Sequence, residues 1–76
     1  MKMLSLTVHV REEDDIRSKL LTEKGISIFR EKEFYQSVTG LGKQVSHVMF
    51  ILHIHSPEAE THLRIKYPYK FEDLSV

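Results

Sequence analysis

Residues 37–47, SVTGLGKQVSH, carry the types and spacing that could hold a ligand. Glycine lets backbone N–H groups approach a phosphate closely. Here Gly40 and Gly42 are followed by Lys43, which adds charge, and Gln44, which adds a polar hook. The same glycines also suit a hairpin turn, which needs positive φ angles that glycine takes without steric cost. Both readings stand at this point. The histidines raise a second chemical question. His53 and His55 stand two apart in an apolar run, so on a strand they share one face, about 6.6 Å apart along the chain. With a third ligand, such a pair could chelate a divalent metal ion and would release it as imidazole protonates below about pH 6.5. His9 and His47 are expected side by side at the other end of that face, where an oligomer axis could gather copies of either pair. Half-buried sheet surfaces and subunit interfaces accommodate histidine equally well. His62 is expected on the surface.

These groups must be positioned by strands and helices that the hydrophobic pattern marks out. Residues 3–10, MLSLTVHV, alternate, with Leu4, Leu6, Val8 and Val10 on one face. That period predicts a strand with one buried side. REEDD then places acids where the unpaired N–H groups of a helix start favour negative charge, so the cluster Glu12–Asp15 is assigned no chemistry of its own. A helix is predicted to about Lys24, with Ile16, Leu20 and Leu21 on its packing side, Gly25 as a left-handed cap and Ile26 folding back on Leu21. ISIFREKEFYQSV, 26–38, is rich in β-branched and aromatic residues and predicts a long second strand. TGLGKQ, 39–44, is the turn. VSHVMFILHIH, 45–55, predicts a third strand that is apolar on both faces and hence central. SPEAE opens a second helix, with Ser56 as N-cap and Pro57 in the first turn. Residues 61–67 fit helix or strand, Pro68 ends either one, and YKFEDLSV supplies a last edge strand.

The order is β-α-β-β-α-β, a ferredoxin-like α+β sandwich with an antiparallel sheet and its helices on one face. Right-handed crossovers place strand three between strands one and two. The chain is a single domain over 1–76.

Two segments resemble known families. DDIRSKLLTEKGI followed by VTGLGKQVSH resembles the first half of PII-type signalling proteins, with their Asp-rich helix start, Gly-Ile helix end and G-x-G-[RK]-Q turn with a histidine downstream. KYPYKFEDLSV is similar to the His-Pro-Tyr-Glu-x-Pro segment of the CutA divalent-ion-tolerance family. The resemblance implies a non-enzymatic regulatory protein that forms a trimer, with outer sheet faces packed around the three-fold axis. It also implies a small ligand at an inter-subunit cleft near Gly40, Gly42, Lys43 and Gln44, and a regulated protein as a further partner. The ligand would be a nucleotide, or for the histidines a divalent metal ion. Two family features are missing: the long loop between strands two and three, and the second phosphate loop TGxxGDGK.

Bulk composition bounds the alternatives. Eleven basic and eleven acidic side chains cancel, and REEDDIRSK and REKE mix both signs, so no nucleic-acid partner is expected from charge. With no cysteine there are no disulfides and no thiolate metal sites, which fits a reducing cytoplasm. The N-terminus lacks the pattern of a signal peptide, and the longest apolar run, VMFIL, is too short to span a bilayer, so no membrane partner is expected. No nucleophile motif or paired carboxylates select an enzyme. The outward set Met3, Phe29, Met49 and Ile51, with Phe34 and Tyr35 on the distal half of strand two, predicts a subunit interface. Four readings follow: ligand-sensing oligomer, histidine metal binder, interaction module or inhibitor acting through the apolar sheet face, and, last, an enzyme of the dimeric ferredoxin-like kind.

Overall fold

Alternation in the N-terminal segment becomes strand β1, Lys2–His9, with Leu4, Leu6 and Val8 buried. The computed structural model describes residues 2–74. After β1 the chain makes one tight turn of 3₁₀-helix, Val10–Glu12, begun by the His9 side chain, whose Nδ1 accepts from the Arg11 N–H at 3.2 Å. Helix α1 runs Glu13–Leu21, with Glu13, Asp14 and Asp15 in its first turn, where the helix dipole favours them. It ends three residues before the expected Lys24. Ile16 and Leu20, four apart, lie on one face and are buried, whereas Leu21, one residue further round the 3.6 period, is 67% exposed. Ile26 therefore packs on the common core and not on Leu21.

Strand β2, Ile26–Val38, has the predicted bounds, and β3 runs Gly42–Ile54. Lys43 and Gln44, expected in the turn, are strand residues paired with Ser37 and Gln36, because only Thr39, Gly40 and Leu41 are needed to reverse the chain. His55, expected on the strand, lies just past its end. Helix α2, Pro57–Lys66, is capped by Ser56, whose Oγ accepts from the Ala59 N–H at 3.2 Å. This settles 61–67 in favour of helix as far as Lys66. Ala59 and Leu63 are buried four apart, while Ile65 is 80% exposed. The last strand, β4, is only Glu72–Asp73, although the Leu74 N–H also donates to the Met3 carbonyl at 2.9 Å. The remainder of the expected edge strand, 75–76, lies outside the described residues.

The sheet is antiparallel in the order β2-β3-β1-β4, so strand three lies between strands one and two. One buried cluster joins alternate residues of β1 and β3 (Leu4, Leu6, Val8, Val48, Phe50, Leu52, Ile54) to Ile16 and Leu20 of α1 and Ala59 and Leu63 of α2. Both helices thus cover the same face. No helix among the described residues is long and apolar enough to cross a membrane.

The domain is elongated. Its radius of gyration is 13.7 Å, against about 11 Å expected for a compact chain of this length. The cause is the β2–β3 hairpin. Strand β1 pairs with β3 only from His47 to Ile54, so residues 35–46 form a two-stranded arm with no third strand beside it.

Candidate functional site

The arm and the uncovered face of the sheet carry most of the residues singled out above. At the arm's tip, the Leu41 N–H donates to the Val38 carbonyl at 3.0 Å across a four-residue turn. Gly40, third in that turn, has φ 80°, as a type II turn requires, and Gly42 follows with φ 77°. A Cβ added at either glycine would meet nothing within 4 Å. The two glycines are thus needed for backbone conformation and not for close packing. Lys43 and Gln44 follow on the strand, both exposed. Gly40, Gly42, Lys43 and Gln44 are therefore brought together, but on an open tip with solvent on each side of the ribbon.

Face assignment on the sheet follows from register, because residues directly opposite each other in an antiparallel pair point to the same side. His47, Met49, Ile51 and His53 alternate with the buried residues of β3 and lie on the open face. A bulge at Phe29 resets β2, so that Arg30 lies opposite Ile51, Lys32 opposite Met49 and Phe34 opposite His47. The intervening Glu31 and Glu33 lie opposite the core residues Phe50 and Val48, on the helix side. Glu31 there takes a two-pronged hydrogen bond from Arg17 of α1, with Nε at 3.1 Å and Nη2 at 2.5 Å. The same guanidinium also binds Glu13, and Asp14 at 3.0 Å. These carboxylates, Glu31 first and then Glu13, hold the Arg17 guanidinium above its ordinary pKa. The sequence REKE, which mixes charge along the chain, separates it in space: cations on the open face, anions on the helix face. Period-two counting over REKE separates the two signs, but which sign faces the helices is set by the bulge at Phe29.

The histidines fall into two pairs. His9 and His47 are direct cross-strand partners, with ring centroids 5.4 Å apart. His9 Nδ1 accepts a hydrogen bond from the Arg11 N–H at 3.2 Å, which leaves Nε2 outside that bond. His47 Nδ1 lies 3.1 Å from Ser46 Oγ. At the other end of the face, His53 stacks on Phe29, with centroids 4.5 Å apart and planes 17° apart, and His55 Nε2 shares a 2.8 Å hydrogen bond with Ser27 Oγ. The His53 and His55 rings are 6.4 Å apart and nearly perpendicular. Among the described residues, no group of three or more His, Asp or Glu side chains is placed to hold a metal ion.

One cluster gave no sequence signal at all. Glu23, in the turn after α1, has a side chain only 7% exposed and binds Lys66 Nζ at 2.6 Å and the Tyr67 hydroxyl at 2.8 Å, both at the far end of α2, with His62 Nε2 at 3.5 Å. Partners more than forty residues away leave no local pattern. The Lys66 ammonium, and then the Tyr67 hydroxyl, hold the Glu23 carboxyl below its ordinary 4.5. A carboxyl with a depressed folded pKa stabilises the fold above its unfolded pKa, and that contribution is lost as pH falls through the folded value. Wild-type stability should therefore drop as pH falls below about 4.5. Glu23→Gln should start less stable near pH 7 and show a shallower acid limb, read as urea midpoints across that range. Parallel limbs would remove Glu23 from the acid sensitivity.

Comparison with protein-family models, with curated proteins and with solved structures finds no match to this chain. Fold and site therefore define a class and no more: a small α+β domain with one covered and one open sheet face, extended by a hairpin arm.

Proposed function

We propose that the chain is a non-enzymatic binding module that assembles with copies of itself through its hairpin arm and presents the open sheet face and the arm's tip to a ligand. The arm carries this reading. An isolated two-stranded ribbon is marginal in water, and this one leaves Tyr35 60%, Phe34 39%, Val38 37% and Leu41 66% exposed. A second copy laid along residues 42–46, where β1 has already turned away, would cover it. The outer edge of β2 is a poorer place for self-pairing. There a two-fold contact sets residues of the same face opposite each other, so Arg30 and Lys32 would meet cations, and Glu31 and Glu33 would meet anions.

The reading agrees with the PII-like and CutA-like resemblance, which favours a ring of three, a ligand at a cleft between copies near Gly40, Gly42, Lys43 and Gln44, and a cytoplasmic setting. The ferredoxin-like frame that goes with it is supported by the order β2-β3-β1-β4 and by both helices lying on one face. Metal binding is a weaker second reading, since each histidine pair would need its remaining ligands from another copy.

Replacing residues 36–44 by Asn-Gly, which joins the paired Tyr35 and Val45 through a two-residue turn, tests the assembly role. The shortened chain should keep its circular dichroism spectrum and sediment as a monomer. Unchanged assembly would remove the arm from the interface.

A further inference from the structure

The open face differs from the rest of the surface in charge. Across β1, β2 and β3 its positions are Met3, Ser5, Thr7 and His9; Ser27, Phe29, Arg30, Lys32 and Phe34; and His47, Met49, Ile51 and His53. No acidic residue occurs among them. Glu72 of the edge strand β4, opposite Ser5, shares this face, and Glu31 and Glu33 border it along the β2 edge. The neutral total thus conceals a face with basic groups on one side and a helix layer holding most of the carboxylates on the other. The basic groups of this face are also unspent. Lys2, Arg17, Lys19, Arg64 and Lys66 lie in ion pairs, whereas Arg30 and Lys32, like Arg11, Lys24, Lys43 and Lys70 elsewhere, form none among the described residues. The Lys32 ammonium rests over the Phe34 ring, 5.5 Å from its centroid.

Flat surfaces accompany the charge. Phe29 is 58% exposed and Phe34 39%, on one strand about 17 Å apart along the chain. Between them a groove of about 600 Å³ runs over Met49 and Ile51, lined by Arg30, Lys32 and Tyr35 and bordered at the β2 edge by Glu31 and Glu33. Two partly exposed rings, one stacked on His53 and the other beneath Lys32, with cations between them and an apolar floor, match a chain of phosphates bearing flat bases. Aromatic side chains stack on bases of any sequence, and lysine and arginine follow the backbone.

We infer that the open face binds single-stranded nucleic acid, with Phe29 and Phe34 as stacking platforms and Arg30 and Lys32 as phosphate contacts. The inference rests on the reading that the open face is the ligand surface, and it names the occupant. It departs from the expectation drawn from net charge, which does not resolve where on the surface the charges lie.

Fluorescence anisotropy of a labelled mixed-sequence DNA single strand, about 12 nucleotides long, tests it on the full chain in about 50 mM salt and again in about 200 mM. Wild type should bind, and more weakly at the higher salt. Arg30→Ala with Lys32→Ala should reduce the slope of log affinity against log salt by about 1.4, as loss of two phosphate contacts requires. Phe29→Ala and Phe34→Ala should each weaken binding roughly tenfold. Arg64→Ala, on α2 across the covered face, should not weaken it, and a blunt duplex of the same sequence should bind less well than the strand. Wild type that assembles but binds no strand would overturn the inference and leave the assembly reading intact. So would open-face variants that change the oligomer without changing the anisotropy, which would assign the face to a second copy. Failure to assemble, with strand binding retained, would overturn the assembly reading alone.

Discussion

Phe50→Ala is expected to remove about 3–5 kcal/mol of folding free energy, the usual loss when a fully buried phenylalanine is truncated. Phe50 is 0% exposed on the central strand, between Leu6 of β1 on one side and Glu31 of β2 on the other. Its ring also lies beneath the guanidinium of Arg17, 5.8 Å from the centroid, so the truncation undercuts the contact that closes α1 over the β2 edge. A chain this short has about 4–11 kcal/mol of stability in all. The variant should therefore lose about a quarter or more of its urea midpoint, or fail to fold. Ile65→Ala, at an 80% exposed position, should stay within about 0.5 kcal/mol of wild type and serves as the control. Both belong at one protein concentration, since assembly adds stability by mass action. A loss below about 1 kcal/mol at Phe50 would contradict the packing described here.

The second large effect is at Gly25. Its φ is 78°, and a Cβ there would lie 2.9 Å from the Ala59 Cβ and 3.6 Å from Ser56 Oγ. The backbone at this point is also pinned, because the His55 N–H donates to the Gly25 carbonyl at 2.8 Å. Gly25→Ala thus combines two costs: about 1–2 kcal/mol for a left-handed alanine and about 1–3 kcal/mol for pushing α2 off the α1–β2 turn. Gly40→Ala carries only the first, since its φ is 80° and the space around it is empty. The difference between the two urea midpoints isolates the close approach. In Gly25→Ala with Ala59→Gly, part of that difference should return, less about 1 kcal/mol for a glycine inside a helix. Equal losses at Gly25 and Gly40 would mean that α2 does not approach the turn as described.

Much of the frame was legible because local patterns and tertiary structure agree. Alternation over Leu4, Leu6 and Val8 gave β1. The β-branched and aromatic run gave the bounds of β2, and Ser56–Pro57 gave the start of α2. Register made His9 and His47 partners, as antiparallel strands one and three require. The misreadings have local causes. Leu21 is apolar but sits off the buried stripe. Gly42 was read as turn, although a positive φ also suits the first residue of a strand beside a tight hairpin. The α1–β2 turn was read as a simple glycine cap, when Gly25 also makes room for Ala59. At the candidate site, the turn residues and histidines were visible as residue types. Their roles were not, because the length of the arm depends on where β1 stops, and the charge of the open face depends on a bulge at Phe29. Neither leaves a mark in a single short window. The Glu23 cluster and the Arg17–Glu31 bridge join distant segments and were invisible for the same reason.

The central claim is that another copy of the chain completes the arm. Native mass spectrometry of the untagged chain at micromolar concentration tests it most directly. The account predicts a discrete oligomer, three copies on the resemblance to the PII-like and CutA-like proteins, with no single copy in excess. A spectrum dominated by one folded copy would contradict the claim and leave the arm as an independent hairpin.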